Sequence, residues 1–301
     1  MANILVTGGT GLIGSYLCKR LKGEGHSVSI LSRTENSESP YPIYLWDLDQ
    51  GKIDESSIAN ADYIIHLAGA NIADKRWTRK RKRLILESRQ KPVELINSKI
   101  DTSNHKIKAF ISASAVGYYG ALSSNKIFVE GDSPANDFLG STCHEWENST
   151  ELFKQNGIRT VIIRTGVVLT KENGAFAKMK KPVKLGIGSA IGDGKQYLPW
   201  IHIDDLCNIY IKSIEDIEMK GPYNAVAPDH KTNKEFTHLL ARVLNKPFWF
   251  PNVPAFMMKI IFGELSKILL EGSRVSSDKI IKSGYKFRFP KLEDALKELI
   301  K

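Results

Sequence analysis

Cysteine is scarce in this sequence. The three residues, Cys18, Cys143 and Cys207, are odd in number and widely spaced, with no C-x-x-C and no His/Cys cluster at zinc spacing. That speaks against a disulfide framework and against a metal site. Long apolar runs are also missing: no stretch of about 18 apolar residues occurs, so no membrane partner is expected. The chain opens directly into Ile4-Leu5-Val6-Thr7, without a basic flank, an apolar segment or a cleavage site, and a cytoplasmic location is expected. With 42% hydrophobic and 25% charged residues the composition is that of an ordinary globular protein, which excludes disorder, collagen-like sequence and a coiled coil. At 301 residues the chain forms one large or two intimately packed domains and buries a core without staples.

What is present begins with charge. Lys plus Arg number 43 against 33 Asp plus Glu, a net +10 that attracts anions. Part of the excess is local, in a run of Lys75, Arg76, Arg79, Lys80, Arg81, Lys82 and Arg83 broken by Trp77. The run reads as a solvated helix face or as an anion site for cofactor or substrate. Nucleic acid is not an expected partner, because no helix-turn-helix, zinc finger or RNA-binding signature accompanies the charge.

The first half alternates short apolar runs with amphipathic stretches, the pattern of strand-helix-strand units around a parallel sheet. Strands are expected at 3–7, 27–32, 63–67, 109–114 and 160–165, and helices at 14–22, 82–100 and 143–155. The second half is richer in glycine loops and proline, with apolar helical segments at 236–244, 255–270 and 292–300. The expected architecture is α/β: a Rossmann-type, doubly wound parallel sheet over 1–165, joined by a return segment at about 200–213. A smaller C-terminal α+β substrate domain over 166–301 includes an appended region at about 248–298.

The segment Thr7-Gly8-Gly9-Thr10-Gly11-Leu12-Ile13-Gly14 lies directly after the first expected strand and opens a helix. Glycines in that setting permit a tight turn, let a pyrophosphate approach the backbone and let the helix pack on the strand. The helix N-terminus then presents N–H groups to the anion. No Gly-Lys-Ser/Thr follows, which excludes a Walker-type phosphate loop. Where an NAD site carries Asp or Glu at the end of the second strand, this chain has Ser32-Arg33, a hydroxyl and a guanidinium suited to a 2′-phosphate. NADP is therefore expected over NAD.

With these residues in hand the chain resembles the extended and atypical short-chain dehydrogenase/reductase superfamily. More closely it resembles the epimerase family protein subfamily, that of short-chain dehydrogenase/reductase family 39U. The resemblance runs along the whole chain, through TGGTGLIG at 7–14, LSR at 31–33, HLAGANIADKRW at 66–77, SASAVGYYG at 112–120, RTGVVL at 164–169, KLGIGSAIGDGKQYLPWIHIDDL at 184–206, NAVAP at 224–228 and GYKFRFP at 284–290. It implies that Leu67, Ala68 and Gly69 lie against the cofactor, that Asp47 stands near the adenine, that Arg89 reaches the cofactor phosphates, and that Gly166 and Val167 border the nicotinamide. Helices 82–100 and 143–155 would offer a homodimer interface of the kind common in the superfamily, with oligomeric state left open.

Short-chain dehydrogenases use Ser, Tyr and Lys to orient the substrate oxygen and move its proton. Ser114 fits the serine. Aligning Glu147 with the acidic residue that often follows the family lysine puts Leu139 at the tyrosine position and Cys143 at the lysine position, so the Tyr-x-x-x-Lys pair is absent. Tyr118 is the candidate acid/base in its place. Cys143 as a nucleophile and His202 as an acid/base are lesser candidates, and Lys75, Arg76 and Gln196 are placed to hold an anionic small-molecule substrate. The leading expectation is an NADP(H)-dependent oxidoreductase acting on a small carbonyl, alcohol or nucleotide-linked sugar. The missing pair favours a competing class, a non-catalytic NADP-binding sensor or regulator of the kind some relatives' cell-division labels suggest. A strict nucleotide-sugar epimerase comes third, weakened by the same gap.

Overall fold

The structure, a computed structural model, describes residues 1–101, 105–171 and 173–301. Its first half runs β1 (Asn3–Thr7), α1 (Leu12–Gly23), β2 (Ser27–Ser32), β3 (Ile43–Asp47), β4 (Lys52–Ile53), α2 (Glu55–Ala59), β5 (Tyr63–His66), α3 (Arg79–Ser98) and β6 (Ala109–Ala115). A 3₁₀ turn at Val116–Tyr119, β7 (Ile127–Phe128), α4 (Phe138–Ser149) and α5 (Glu151–Gln155) lead to β8 (Arg159–Thr165). The remainder comprises β9 (Val167–Leu169), α6 (Gly174–Lys184), β10 (Trp200–His202), α7 (Ile203–Glu215), β11 (Gly221–Ala225), α8 (Asn233–Val243), α9 (Ala255–Phe262), α10 (Lys267–Leu270), β12 (Arg274–Val275), α11 (Asp278–Lys282) and α12 (Leu292–Ile300).

The main sheet has eight strands in the order β11-β8-β6-β5-β1-β2-β3-β4, parallel throughout except for the β3–β4 pair. It is covered on both faces, which is why its central strands read as unbroken apolar runs. Side chains alternate across it: Ile4 and Val6 meet Leu17 and Leu21 of α1 and Ile203 and Tyr210 of α7, whereas Leu5 joins Val93 and Ile96 of α3 and Phe153 of α5. After β4 the chain crosses back to pair β5 with β1. The direction of winding reverses there, and a ligand crevice opens at the carboxyl ends of those strands.

The structure departs from the sequence expectation in several places: β3, β4 and β11 of the main sheet and the short β7, β9, β10 and β12 are not among the expected strands, α2, α6, α7 and α11 are not among the expected helices, and the expected helices 143–155 and 255–270 are each broken. β3 was not marked because Pro42 precedes it and its run is only half-buried. β11 opens with Gly221-Pro222, which reads as a turn, yet an edge strand tolerates the missing N–H. The apolar stretch 255–270 is not one helix: Gly263 at φ +60° ends α9 before the shorter α10 begins. A second core, with Phe176, Trp200, Phe236 and Leu296 at its centre, joins α6, α8 and α12 beside the two-stranded β9–β10 pair.

Candidate functional site

At the crevice, β1 ends in a turn that only glycine can make. Gly8 sits at φ +69°, and a Cβ on it would lie 2.9 Å from the backbone of Ala68. A Cβ on Gly14 would lie 2.2 Å from Gly8 O, so α1 could not seat on the turn. Gly11 donates its N–H to Gly8 O at 3.0 Å and is the N-cap of α1. That cap has no side-chain acceptor and the first turn, from Leu12 and Ile13 to Gly14, carries no acid, so α1 itself supplies no counter-charge to its positive end. This cradle fits a dinucleotide diphosphate.

The far wall of the turn is the loop after β5. Leu67 N donates to Thr7 O at 3.1 Å and Ala68 N to Thr7 Oγ1 at 3.2 Å. Thr7 Oγ1 also stands 2.8 Å from Nδ1 of the fully buried His66. Burial first, and the charge of Arg89 second, push the His66 imidazole down to about 3, so it is neutral. Arg89 braces the same loop, donating to Ile85 O at 2.8 Å and Ala70 O at 3.1 Å, with its guanidinium 4.9 Å over the Trp146 ring. A Cβ on Gly69 would meet that guanidinium at 3.2 Å.

Beyond the end of β2 lies a cleft of about 700 Å³ whose lining includes Arg33, Asp47, Leu48, Ser88 and Lys91. Arg33 is exposed and Ser32 half-buried. Asp47 Oδ1 accepts from Asp49 N at 2.9 Å and Gln50 N at 3.0 Å, so that oxygen shapes a turn at the cleft wall.

On the other side of the crevice Ser114, at the end of β6, donates to Glu147 Oε1 at 2.6 Å. Glu147 projects from α4 and receives Arg164 of β8 through Nε and Nη2, both at 2.8 Å. Although burial opposes the Arg164 charge, its bonds to Glu147 prevail and raise its pKa. The guanidinium stacks 3.4 Å over the Tyr118 ring and donates to Tyr119 Oη at 3.0 Å, and that phenol donates to Asn224 Oδ1 at 2.8 Å. The sequence reading named Glu147 and Arg164 only as landmarks. The available signal was one acid among Leu139, Cys143 and Trp146 on the apolar face of α4.

Burial also raises the Tyr118 pKa, with Arg164 opposing it. Leu139 and Cys143 lie one turn apart on α4, and a Cβ added to Gly117 would meet Leu139 at 3.6 Å and Cys143 at 3.7 Å. Burial pushes the Cys143 thiol up to about 12, which removes it as a thiolate nucleophile. Gly166 is wedged so that a Cβ would lie 2.7 Å from Pro199 O, and Val167 N donates to that carbonyl at 2.7 Å.

Three further candidates have structural partners. His202 Nδ1 accepts from Asp204 N at 3.1 Å and Nε2 meets Glu298 at 2.9 Å, capping α7 and tying it to α12. Gln196 Nε2 donates to Ile191 O and Leu269 O, at 3.0 and 2.8 Å. Arg76 donates from Nε to Ile261 O at 2.8 Å, while Lys75 is exposed.

A doubly wound parallel sheet with a glycine cradle at its switch point defines the chain as a Rossmann-type α/β protein with a dinucleotide-binding fold. The chain belongs to the NAD dependent epimerase/dehydratase family, whose model matches residues 4–226, and a domain of unknown function matches 253–299. The epimerase family protein YfhF of Bacillus subtilis is 39% identical over 99% of this chain and 98% of its own length. Epimerase family protein SDR39U1 of Mus musculus is 36% identical over 99% of each. Among solved structures, human SDR39U1 with NADPH superposes with a TM-score of 0.88 at 32% identity, covering 99% of this chain and 98% of that one. A nucleoside-diphosphate sugar epimerase from Corynebacterium glutamicum gives 0.80 at 30% identity, covering 98% of this chain and 57% of that one. Among the described residues no helix is long and apolar enough to cross a membrane.

Proposed function

We propose that the protein binds NADP(H) in this crevice and is an oxidoreductase acting on a small carbonyl, alcohol or nucleotide-sugar-like substrate in the cytoplasm. The observation that carries the reading is the glycine cradle at the uncapped, acid-free start of α1, followed by Ser32 and Arg33 where an NAD site carries an acid. The human relative solved with NADPH supports the choice of cofactor. In this reading Gly8, Gly11, Leu12, Ile13 and Gly14 hold the diphosphate and Ser32 and Arg33 hold the 2′-phosphate. Asp47 and the loop from Leu67 to Gly69, braced by Arg89, bound the adenosine side, and Gly166 and Val167 border the nicotinamide. The bound cofactor supplies hydride.

The proton chemistry then falls to Tyr118 and Ser114. Because the Ser114 proton is committed to Glu147, its oxygen is left as an acceptor and orients a hydroxyl rather than polarising a carbonyl. Tyr118, kept protonated by burial, donates to the substrate oxygen as reduction proceeds. Lys75 lies in the exposed basic run, suited to an anionic substrate.

One observation favours a non-catalytic NADP-binding regulator instead. Leu139 and Cys143, both buried and apolar in character, stand where the resemblance places a phenol and an amine. NADPH oxidation across a panel of carbonyl compounds separates the two. The oxidoreductase reading expects turnover that Tyr118→Phe lowers by about 10²–10⁴-fold, with NADPH affinity retained. Tight NADPH binding with no turnover on any compound would favour the regulator.

A further inference from the structure

Several of the most exposed large apolar side chains among the described residues lie in two neighbouring segments. Trp249 is 73% exposed, Phe256 62% and Ile260 68%, and across a short gap Leu185 is 68% and Ile187 51% exposed. Phe256 and Ile260 are four residues apart on α9 and so share a face. The loop after α6 is fastened to the segment leading into α9: Val253 N donates to Ala190 O at 2.8 Å and Gly192 N to Val253 O at 2.8 Å. An apolar surface of this kind marks an interaction site.

Within the two segments that carry these residues the charge is of one sign, and the exposed Asp193 and the Lys82-paired Glu264 follow at their ends. Residues 174–192 contain four lysines and 246–263 contain two, and neither segment holds an Asp or Glu. Lys184, Lys246 and Lys259 are exposed beside the apolar residues. At the C-terminal end of α9, Arg76 donates to Ile261 O, which brings the exposed run of Lys75, Arg79 and Lys80 to the same edge.

We propose that this face docks onto an anionic lipid bilayer, with Trp249, Phe256 and Ile260 entering the headgroup–acyl boundary and the lysines meeting lipid phosphates. Aromatic and aliphatic side chains on a short helix, rimmed mainly by cations, are the pattern of a segment that lies on a membrane without crossing it. Lysines near a charged leaflet add to the apolar term and make the attraction dependent on salt. The absence of a spanning run in the sequence bears on crossing alone and leaves this mode untouched.

The test is co-sedimentation of the full chain with vesicles of pure phosphatidylcholine and of equal parts phosphatidylglycerol and phosphatidylcholine. The anionic vesicles are expected to bind at least about tenfold more tightly at low salt. A Lys184→Gln/Lys246→Gln/Lys259→Gln variant should lose that preference, and Ile260→Glu should lose binding while keeping the wild-type thermal transition. Should Ile260→Glu fail to fold, Trp249→Ala, at the most exposed of these positions, takes its place. Failure to sediment with either vesicle overturns the proposal. So does sedimentation-velocity analysis showing a dimer that Ile260→Glu dissociates in a chain that ignores vesicles, because a second copy would then cover the face. Cofactor binding is read separately by NADPH titration, so neither result depends on the proposed enzymatic function.

Discussion

Ser114 Oγ donates to Glu147 Oε1 across 2.6 Å, tying the end of β6 to α4 inside the crevice. Because Arg164 grips both oxygens of the same carboxylate, Glu147 is the hub of a buried network spanning β6, α4 and β8. Removing one partner of a buried pair leaves the other charge uncompensated. Glu147→Ala should therefore cost about 3–5 kcal/mol in urea denaturation, and Glu147→Met with Arg164→Met should cost less than Glu147→Ala alone. A Glu147→Ala variant as stable as the parent would remove the network from the account of the fold.

His66 carries a pH signature. Its folded-state value of about 3 lies below that of an unfolded histidine, so between the two the unfolded chain binds the extra proton. This contribution is complete above about pH 6.5 and is lost as pH falls toward 3. Between pH 7 and 5 the parent should lose about 2 kcal/mol that His66→Asn does not lose. Equal slopes of stability against pH in parent and variant would show that His66 titrates normally.

Two glycines of α1 should respond oppositely to a methyl group. Gly14→Ala puts a carbon 2.2 Å from Gly8 O and should cost several kcal/mol and most NADPH affinity. Gly23→Ala meets nothing within 4 Å and should gain about 0.4–1 kcal/mol by stiffening the unfolded chain. Thermal melts and NADPH titrations of the two variants check both signs.

Arg33→Asp should invert the cofactor preference. It removes a charge-assisted hydrogen bond worth about 1.5–3 kcal/mol and adds repulsion toward a 2′-phosphate, so the ratio of NADH to NADPH dissociation constants should fall by at least about tenfold. A ratio that does not move would mean that the exposed guanidinium plays no part in recognition.

The three thiols should be silent until the chain unfolds. Burial pushes Cys18, Cys143 and Cys207 each up to about 12. A disulfide reagent at pH 8 is expected to label none of them in the native protein and all three in denaturant. Rapid native labelling of Cys143 would reopen its candidacy as a nucleophile.

Local signals carried much of the reading. The apolar run of β1, the glycines that follow and the amphipathic α1 specify a strand, turn and helix whose contacts are close in sequence, and the turn lies where those signals put it. The position of Ser32 and Arg33 at the end of β2 was legible for the same reason, since a strand end is a local feature. β11 was not, because Gly221-Pro222 becomes a strand only when β8 offers a partner about 60 residues away.

The sequence by itself determined the parallel α/β class, the glycine cradle and the missing Tyr-x-x-x-Lys pair, since each depends on residue type at short spacing. Only the tertiary structure decided that the Ser114 proton is taken by Glu147, that Arg164 stacks on Tyr118 and that α9 lies bare beside the lysine-rich loop after α6. Those relations join residues 33 and 46 positions apart or lie between separate elements. Nothing in residue type ranks one such pairing over another until chain packing decides which groups lose water together.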